Sequence, residues 1–402
     1  MSEYQYYEFL VVDRPLDADQ LDWLRALSTR AELTSTSFVN TYHWGDFKGN
    51  PRALMEEYFD AFLYTANWGS RQLMIRLPAR LLDLETAQRY CGMDSASAWA
   101  HGENVIVEMR RENDDDGYWE EYSGEGRLAS IIPARAQLAS GDLRLLYLGW
   151  LLSISVEYQG DDLDVDVLEP PVPPNLALLN GPLRSVVDFL RLDEDLLAVA
   201  AEASERQQVT RRSEDELASW IEQLPAAEKN ALLMRVVHGD DALLRTELLR
   251  RLNGQPDLHH QATRRRTVAE LLEAAENHGQ ERERLAEQQQ ERERARRERA
   301  AAIVRRQQLD SLAREGGHAW QRVSALIDTK KTREYDLAVE LLGDLRDLSE
   351  RDGRLREFGQ RVQRIRQQYP NRPGLLQRLD SAGFVALANP SRDQPSSTGS
   401  RP

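Results

Sequence analysis

At 402 residues, with 41% hydrophobic and 30% charged side chains, the chain has the length for two or three domains and a substantial core. Its one cysteine, Cys91, excludes an intrachain disulfide and a thiolate zinc site, and fits a reducing cytoplasm. The net charge of −15 is uneven: residues 1–200 hold 34 acids and 16 bases, residues 201–402 hold 33 and 36, so the acidic front half disfavours phosphate contacts.

The opening MSEYQYYEFL has neither the basic nor the apolar region of a leader. The longest uncharged apolar run, residues 145–156, is 12 residues long, which falls short of the roughly 20 a membrane span needs and reads as a buried helix. The expectation is a soluble, cytoplasmic protein without membrane contact.

Residues 4–12 alternate Gln5, Tyr7, Phe9 and Val11 against Tyr4, Tyr6, Glu8 and Leu10, which predicts a strand rich in aromatic and β-branched side chains. Asp17 with Gln20 signals a helix start, and Leu21, Leu24 and Leu27 follow at helical spacing. ELTSTSFVNTYHW, residues 32–44, reads as a second strand. Pro51 suits the first turn of a helix whose inner face holds Leu54, Tyr58 and Phe59. DAFLYTANWG and RQLMIRLP read as two strands joined at Trp68-Gly69-Ser70. This order predicts an α+β fold, a mostly antiparallel sheet backed by helices. A further hairpin is expected over residues 104–123, then helices over 127–138 and 142–156.

Four prolines at 170, 171, 173 and 174 predict a stiff extended connector. Helices then close a first domain, residues 1–204. A small helical unit over 205–258 opens with a Ser213/Glu216 capping box, and two of its helices end at Gly239 and Gly254. Residues 259–315 read as one long charged helix. Between 279 and 299 only Leu285, Ala286 and Ala295 are apolar, where a coiled coil needs about six. That describes a solvated rod on the order of 75–80 Å long, supported by Glu–Arg contacts, with Gly279 placed to break it. Residues 316–385 carry helical spacing throughout (Trp320, Val323, Leu326, Ile327; Tyr335, Ala338, Leu342, Leu345; Leu355, Phe358, Val362, Ile365), the pattern of stacked antiparallel hairpins. The last residues, 386–402, have the composition of a disordered tail.

The stretch NTYHWGDFKGNP admits a catalytic reading. His43 would be a general base, Asp46 its orienter and Lys48 a charge stabiliser, with Trp44, Arg71 and Arg76 as ligand or partner contacts. The plainer reading is a strand-to-helix connection. Trp44 would then anchor in the core, Asp46 would hydrogen-bond the turn, and Gly45 and Gly49 would take positive φ. No known catalytic spacing is matched, and the plainer reading leads.

Metal chemistry finds little support. His259 and His260 are adjacent and point apart. Asp162, Asp164 and Asp166 lack the EF-hand's Gly and Glu, since Val167 and Pro173 stand there. No P-loop, nucleophile elbow or dinucleotide fingerprint occurs, so neither metal nor cofactor is expected. Between residues 291 and 306, three acids offset seven arginines and aromatics for base stacking are missing, which disfavours nucleic-acid binding by this helix.

YQYYEFLVVDRPL, SFVNTYHWGDFKGNP and YFDAFLYTANWGSRQLMIRLP resemble the opening of a family of bacterial cytoplasmic proteins of unknown function, over about residues 1–204. EYDLAVELLGDLRDL with RPGLLQRLDSAGF is similar to C-terminal helical regions of bacterial SWIM zinc-finger proteins. The zinc motif of that family cannot be formed with Cys91 alone, so the resemblance implies a helical interaction region and no ligand or catalytic residue. The function expected is a non-enzymatic interaction or adaptor protein that docks another protein through residues 316–385. The alternatives are a hydrolase or nuclease working through His43, Asp46 and Lys48, or nucleic-acid binding by the arginine-rich helix. The sequence leaves the oligomeric state open.

Overall fold

Period-two alternation sets seven strands of the first part of the chain into one sheet with two apolar faces. They are β1 (Gln5–Leu10), β2 (Glu32–Leu33), β3 (Ser37–Tyr42), β4 (Ala61–Ala66), β5 (Arg71–Pro78), β6 (Ala96–His101) and β7 (Asn104–Arg111). A computed structural model describes residues 4–112, 124–158, 164–207, 214–238, 243–253 and 265–384. In it the strands run β2-β3-β1-β4-β5-β7-β6, every neighbour antiparallel. β1 pairs on both edges, Gln5 lying opposite Tyr42 on one side and Ala66 on the other.

One face of the sheet is aromatic: Tyr7, Phe9, Phe38 and Phe62 pack against Leu24 of α1 (Ala18–Leu27) and against Leu54 and Met55 of α2 (Pro51–Glu57). Asp17 and Gln20 form the expected capping box on α1, each side chain bonding the other's backbone N–H. Asn50 caps α2, with Pro51 at its first position. The opposite face, with Leu63, Leu73, Ile75, Val105 and Val107, lies under a helical layer. That layer comprises α3 (Leu84–Tyr90), α4 (Arg127–Ile131), α5 (Pro133–Ala139), α6 (Arg144–Tyr158), α7 (Gly181–Leu190) and α8 (Glu194–Glu202). α6 is buried along most of its length, which accounts for the apolar run at 145–156. No helix among the described residues is long and apolar enough to cross a membrane.

Three elements differ from the sequence reading. Residues 32–44 are two strands, because the Thr34 N–H bonds the Ser37 carbonyl and the Thr34 hydroxyl meets Ser37 Oγ at 2.7 Å, which bends the chain between β2 and β3. β7 finds its hairpin partner upstream in β6, through a turn at Gly102 (φ +56°). The strand expected near residues 118–123 falls outside the described residues. The helix expected over 127–138 divides into α4 and α5 at Pro133, which has no N–H to continue the ladder.

The core of this unit continues past Ser204, where the sequence suggests a domain edge. α9 (Glu214–Gln223), α10 (Ala226–Val237) and α11 (Leu244–Asn253) come next, while Ser213, Gly239 and Gly254 lie outside the described residues. α12 (Val268–Glu315) is a single helix of 48 residues, and its Val268, Leu271 and Ala275 belong to the same core as the sheet. Its start is tied down by buried Glu169, which accepts from Arg266 Nε and Nη2, both at 2.8 Å, and from the Tyr147 hydroxyl.

Gly279 does not break α12. A Cβ there would stand 3.1 Å from Asp195 Oδ2, and Asp195 itself accepts from Arg282 Nη2 at 2.8 Å and faces His278 Nδ1 at 2.9 Å. Glycine thus gives α8 and α12 their close approach. From 280 to 304 the helix is exposed apart from half-buried Ala295, with i,i+4 pairs such as Arg294–Glu298 at 3.0 Å.

The chain divides into two compact units, residues 1–283 and 284–402. In the second, α13 (Gly317–Asp328), α14 (Thr332–Arg351), α15 (Leu355–Gln368) and α16 (Pro373–Ser381) form antiparallel hairpins. Their core holds Val323, Ile327, Leu342, Leu345, Phe358, Val362 and Leu375, with Leu309 and Leu312 from the end of α12. Residues 386–402 lie outside the described residues.

Candidate functional site

The loop between β3 and α2 is held from below by one buried side chain. Gln5 Nε2 donates to the Gly45 carbonyl at 3.2 Å and to Asp46 Oδ1 at 3.1 Å. Gln5 Oε1 accepts from the Tyr7 hydroxyl at 2.7 Å and the Tyr64 hydroxyl at 3.2 Å. Burial pushes the Tyr64 hydroxyl up to about 12, the Tyr7 hydrogen bond opposing and the Asp46 charge adding.

Phe47, not Trp44, is the loop's apolar anchor. Its ring lies 5.1 Å from that of Tyr7 and 5.9 Å from that of Phe38, whereas Trp44 is 70% exposed. Gly45 takes φ +77°, as expected. Gly49 does not take positive φ; it makes room for the Phe47 ring, since a Cβ there would sit 2.5 Å from it. His43 is exposed, its ring 5.8 Å from that of Tyr4, and Lys48 is exposed as well. Asp46 orients on Gln5 and not on His43, so the pairing that a general base requires is not made.

Arg71 and Arg76 sit five positions apart on β5 and therefore face opposite sides of the sheet. Arg71 Nη1 donates to the Phe189 carbonyl at 2.5 Å, satisfying the end of α7. Arg76 donates to Asp60 Oδ1 from Nε at 3.2 Å and Nη2 at 2.9 Å, and to the Met55 carbonyl from Nη1 at 3.1 Å. Asp60 Oδ2 in turn accepts from the N–H groups of Val12 and Asp13. Arg135, 2% exposed, forks onto Asp13 at 2.8 and 2.5 Å and donates to the Arg76 carbonyl at 2.8 Å. Both strand arginines are thus consumed in the frame, and neither meets the loop.

Cys91 is fully enclosed, and burial pushes its thiol up to about 12. Asp164 Oδ1 accepts from the Asp166 N–H at 3.1 Å, a local turn; Asp162, His259 and His260 lie outside the described residues. Among the described residues no group of three or more His, Cys, Asp or Glu side chains could hold a metal ion.

The second unit offers a shaped surface instead. α13 buries Ala319, Val323 and Ile327, and α14 buries Ala338, Leu342 and Leu345. Beside this core each helix has a stripe lining its rim: Arg322, Ala325, Leu326 and Thr329 on α13, and Leu337, Glu340 and Asp344 with the buried Leu341 on α14. Both follow i, i+3, i+4, i+7 spacing, so each is one ridge of its helix. Between them lies a hollow of about 450 Å³. Leu337, 43% exposed, and half-buried Leu326 supply apolar surface.

Charges at its margin are ordered by the helix end next to them. Arg322 Nη1 meets Glu315 Oε2 at 2.8 Å, and Arg305 forks onto Asp344 Oδ1 at 2.5 Å and Asp347 Oδ2 at 2.6 Å. The hydrogen bond from Arg305 holds the Asp347 carboxyl below the usual carboxylate range.

Of these groove residues only Leu326 stands in the apolar spacing read from the sequence, where it counts with the inner stripe of α13, and it is half-buried against the core. The signal of the others is a second stripe of helical spacing one position round from the buried one. It emerges only once the buried stripe is known. Comparison of the chain with protein-family models, curated proteins and solved structures gives no match.

Proposed function

We propose that this chain is a non-enzymatic interaction protein of the bacterial cytoplasm, whose second unit receives an amphipathic helix of a protein partner in the α13–α14 groove. The carrying observation is the pair of facing stripes at matched spacing, which leaves the seat a third helix would take. Leu326 and Leu337 are the anchors on this side, and covering a leucine-sized side chain contributes roughly 1.5–3 kcal/mol. Glu340 stands on α14 across from Arg322 on α13, while Asp344 is already engaged by Arg305. The fitting occupant therefore carries Leu, Ile or Met anchors at i and i+4 with a basic flank on the α14 side. The enzymatic alternative at the 43–48 loop draws less support, because Asp46 bonds Gln5 rather than His43.

The test is affinity capture from a bacterial lysate with the full chain, run beside Leu337→Glu and Ala325→Glu. A defined protein held by the unaltered chain and lost from both variants, at unchanged melting temperature, is the expected result. Retention of the same proteins by both variants, or reproducible absence of any, overturns the reading.

A further inference from the structure

The helix α12 sorts its charges by face. Leu285, Gln289, Arg292, Arg296, Arg299, Ile303 and Arg306 follow one another at alternating steps of four and three residues, and all seven are exposed. That alternation keeps them on a single seam of the helix, about 30 Å long. The ion pairs that the helix makes with itself lie off the seam: Arg294 meets Glu298 at 3.0 Å, and Arg297 meets Glu293 at 3.6 Å. By count, three acids offset seven arginines between residues 291 and 306. In space, Glu291, Glu293 and Glu298 stand off the seam, whereas four of the arginines stand on it.

The rest of the seam suits a second helix. Alanine fills four of the six places that flank it, Ala286, Ala295, Ala300 and Ala302, which allows another backbone to approach closely. Leu285 and Ile303, 47% and 58% exposed, supply apolar contact near its two ends. Each arginine adds an alkyl stem that packs and a guanidinium fork that matches a carboxylate. The shortage of apolar side chains in this stretch counts against a seam packed by apolar residues alone, and leaves one packed by ion pairs open. Residues 284–402 hold 24 Lys and Arg against 17 Asp and Glu, while residues 1–283 hold 28 against 50, so this unit is the basic part of an acidic chain.

We propose that residues 285–306 of α12 form one half of a heterotypic coiled coil. The other half is a helix of a protein partner, with Glu or Asp facing the four arginines and aliphatic side chains facing Leu285 and Ile303. Charge complementarity selects this occupant. A second copy does not fit. Paired in parallel, each arginine meets its own counterpart, and paired antiparallel about the middle of the seam, Arg292 meets Arg296. A straight row along one helix also matches another straight helix better than the phosphates of a duplex, which wind away from it.

The probes are two labelled synthetic peptides of about 28 residues, four heptads each. Both carry glutamate opposite the arginines and leucine opposite Leu285 and Ile303, one in the parallel register and one in the antiparallel. They are titrated into the full chain by fluorescence anisotropy, and at least one is expected to bind. Arg296→Gln/Arg299→Gln is expected to weaken that binding about tenfold or more, and Ile303→Asp likewise. Arg294→Gln/Arg297→Gln removes the same charge off the seam and is expected to change affinity less than about threefold. Leu337→Glu, in the α13–α14 groove, should change nothing, so this proposal and the preceding one fail separately. Equal losses from the seam pair and the off-seam pair, no effect of either, or no binding of either peptide overturns the proposal. Self-association of the unaltered chain that Arg296→Gln/Arg299→Gln changes would assign the seam to a second copy, and also overturns it. So does tighter binding of a DNA duplex of about 20 base pairs than of both peptides at the same salt, lost in the seam pair, which would assign the seam to nucleic acid.

Discussion

The Gln5 amide holds the Asp46 carboxylate at 3.1 Å and ties the loop after β3 to the centre of the sheet. That single buried side chain serves four groups, since the Gly45 carbonyl and the hydroxyls of Tyr7 and Tyr64 converge on it too.

Gln5→Leu removes both halves of this arrangement and leaves two enclosed hydroxyls without their acceptor. An unmatched buried polar group costs about 1–3 kcal/mol, so a loss of roughly 2–4 kcal/mol in urea unfolding is expected. Phe47→Ala should cost about 3–5 kcal/mol as a core truncation. Trp44→Ala, His43→Ala and Lys48→Ala, all on exposed side chains, should stay within about 0.5 kcal/mol. A larger effect at Trp44 than at Phe47 would contradict this picture of the loop.

Glu8 points the same way from β1 as Tyr6, whose hydroxyl donates to Glu8 Oε2 at 3.1 Å. Burial raises the Glu8 carboxyl above its ordinary 4.5, with the Tyr6 hydrogen bond opposing. The folded value therefore exceeds the unfolded one. The stability tied to neutral Glu8 is complete below the unfolded value and is lost as pH rises through the folded one. Glu8→Gln keeps an acceptor for Tyr6 and removes the titration. The variant should gain on the unaltered chain as pH is raised from 4.5 towards 8, measured as urea midpoints; a difference that is flat over that range would refute the assignment.

Arg135 joins α5 to β5 and to the segment that follows β1 from an almost fully enclosed position. Arg135→Met strands the carboxylate of Asp13 and the carbonyl of Arg76, and breaking a buried pair in this way costs about 3–5 kcal/mol. Arg135→Lys should recover little, because an ammonium cannot fork onto Asp13 and reach the Arg76 carbonyl together. Thermal unfolding of the two variants decides it. Full rescue by lysine would show that charge alone suffices.

Much of the fold was legible in the sequence where the local signal and the packing agree. The alternation in β1, the Trp68-Gly69-Ser70 turn, the Asp17/Gln20 box and the four last helices each show both. β6 carries no strand signal, because Ala96, Ser97, Ala98 and Ala100 lack strand propensity, and the strand exists through its pairing with β7. The turn at Thr34 is hidden in the sequence, because its hydroxyl bonds compete with a ladder that a β-rich stretch otherwise predicts. In the loop, Trp44 has the larger ring, yet Phe47 is the one placed over β1 and β3. The groove residues were legible only in part: helical spacing identifies both stripes of α13 and α14, but which stripe faces inward is decided by α15 and α16, far along the chain.

The anchoring of Arg266 and Val268 in the first unit has a consequence for biosynthesis. A nascent chain that has emerged only as far as Ser204 has its strands but lacks the residues at 266–275 that complete the interior. At about 5–20 residues per second, the 71 residues from 204 to 275 take roughly 4 to 14 seconds to add. During that interval an unfinished interior faces the cell, so this part of the protein should depend on a ribosome-associated holdase more than its size suggests.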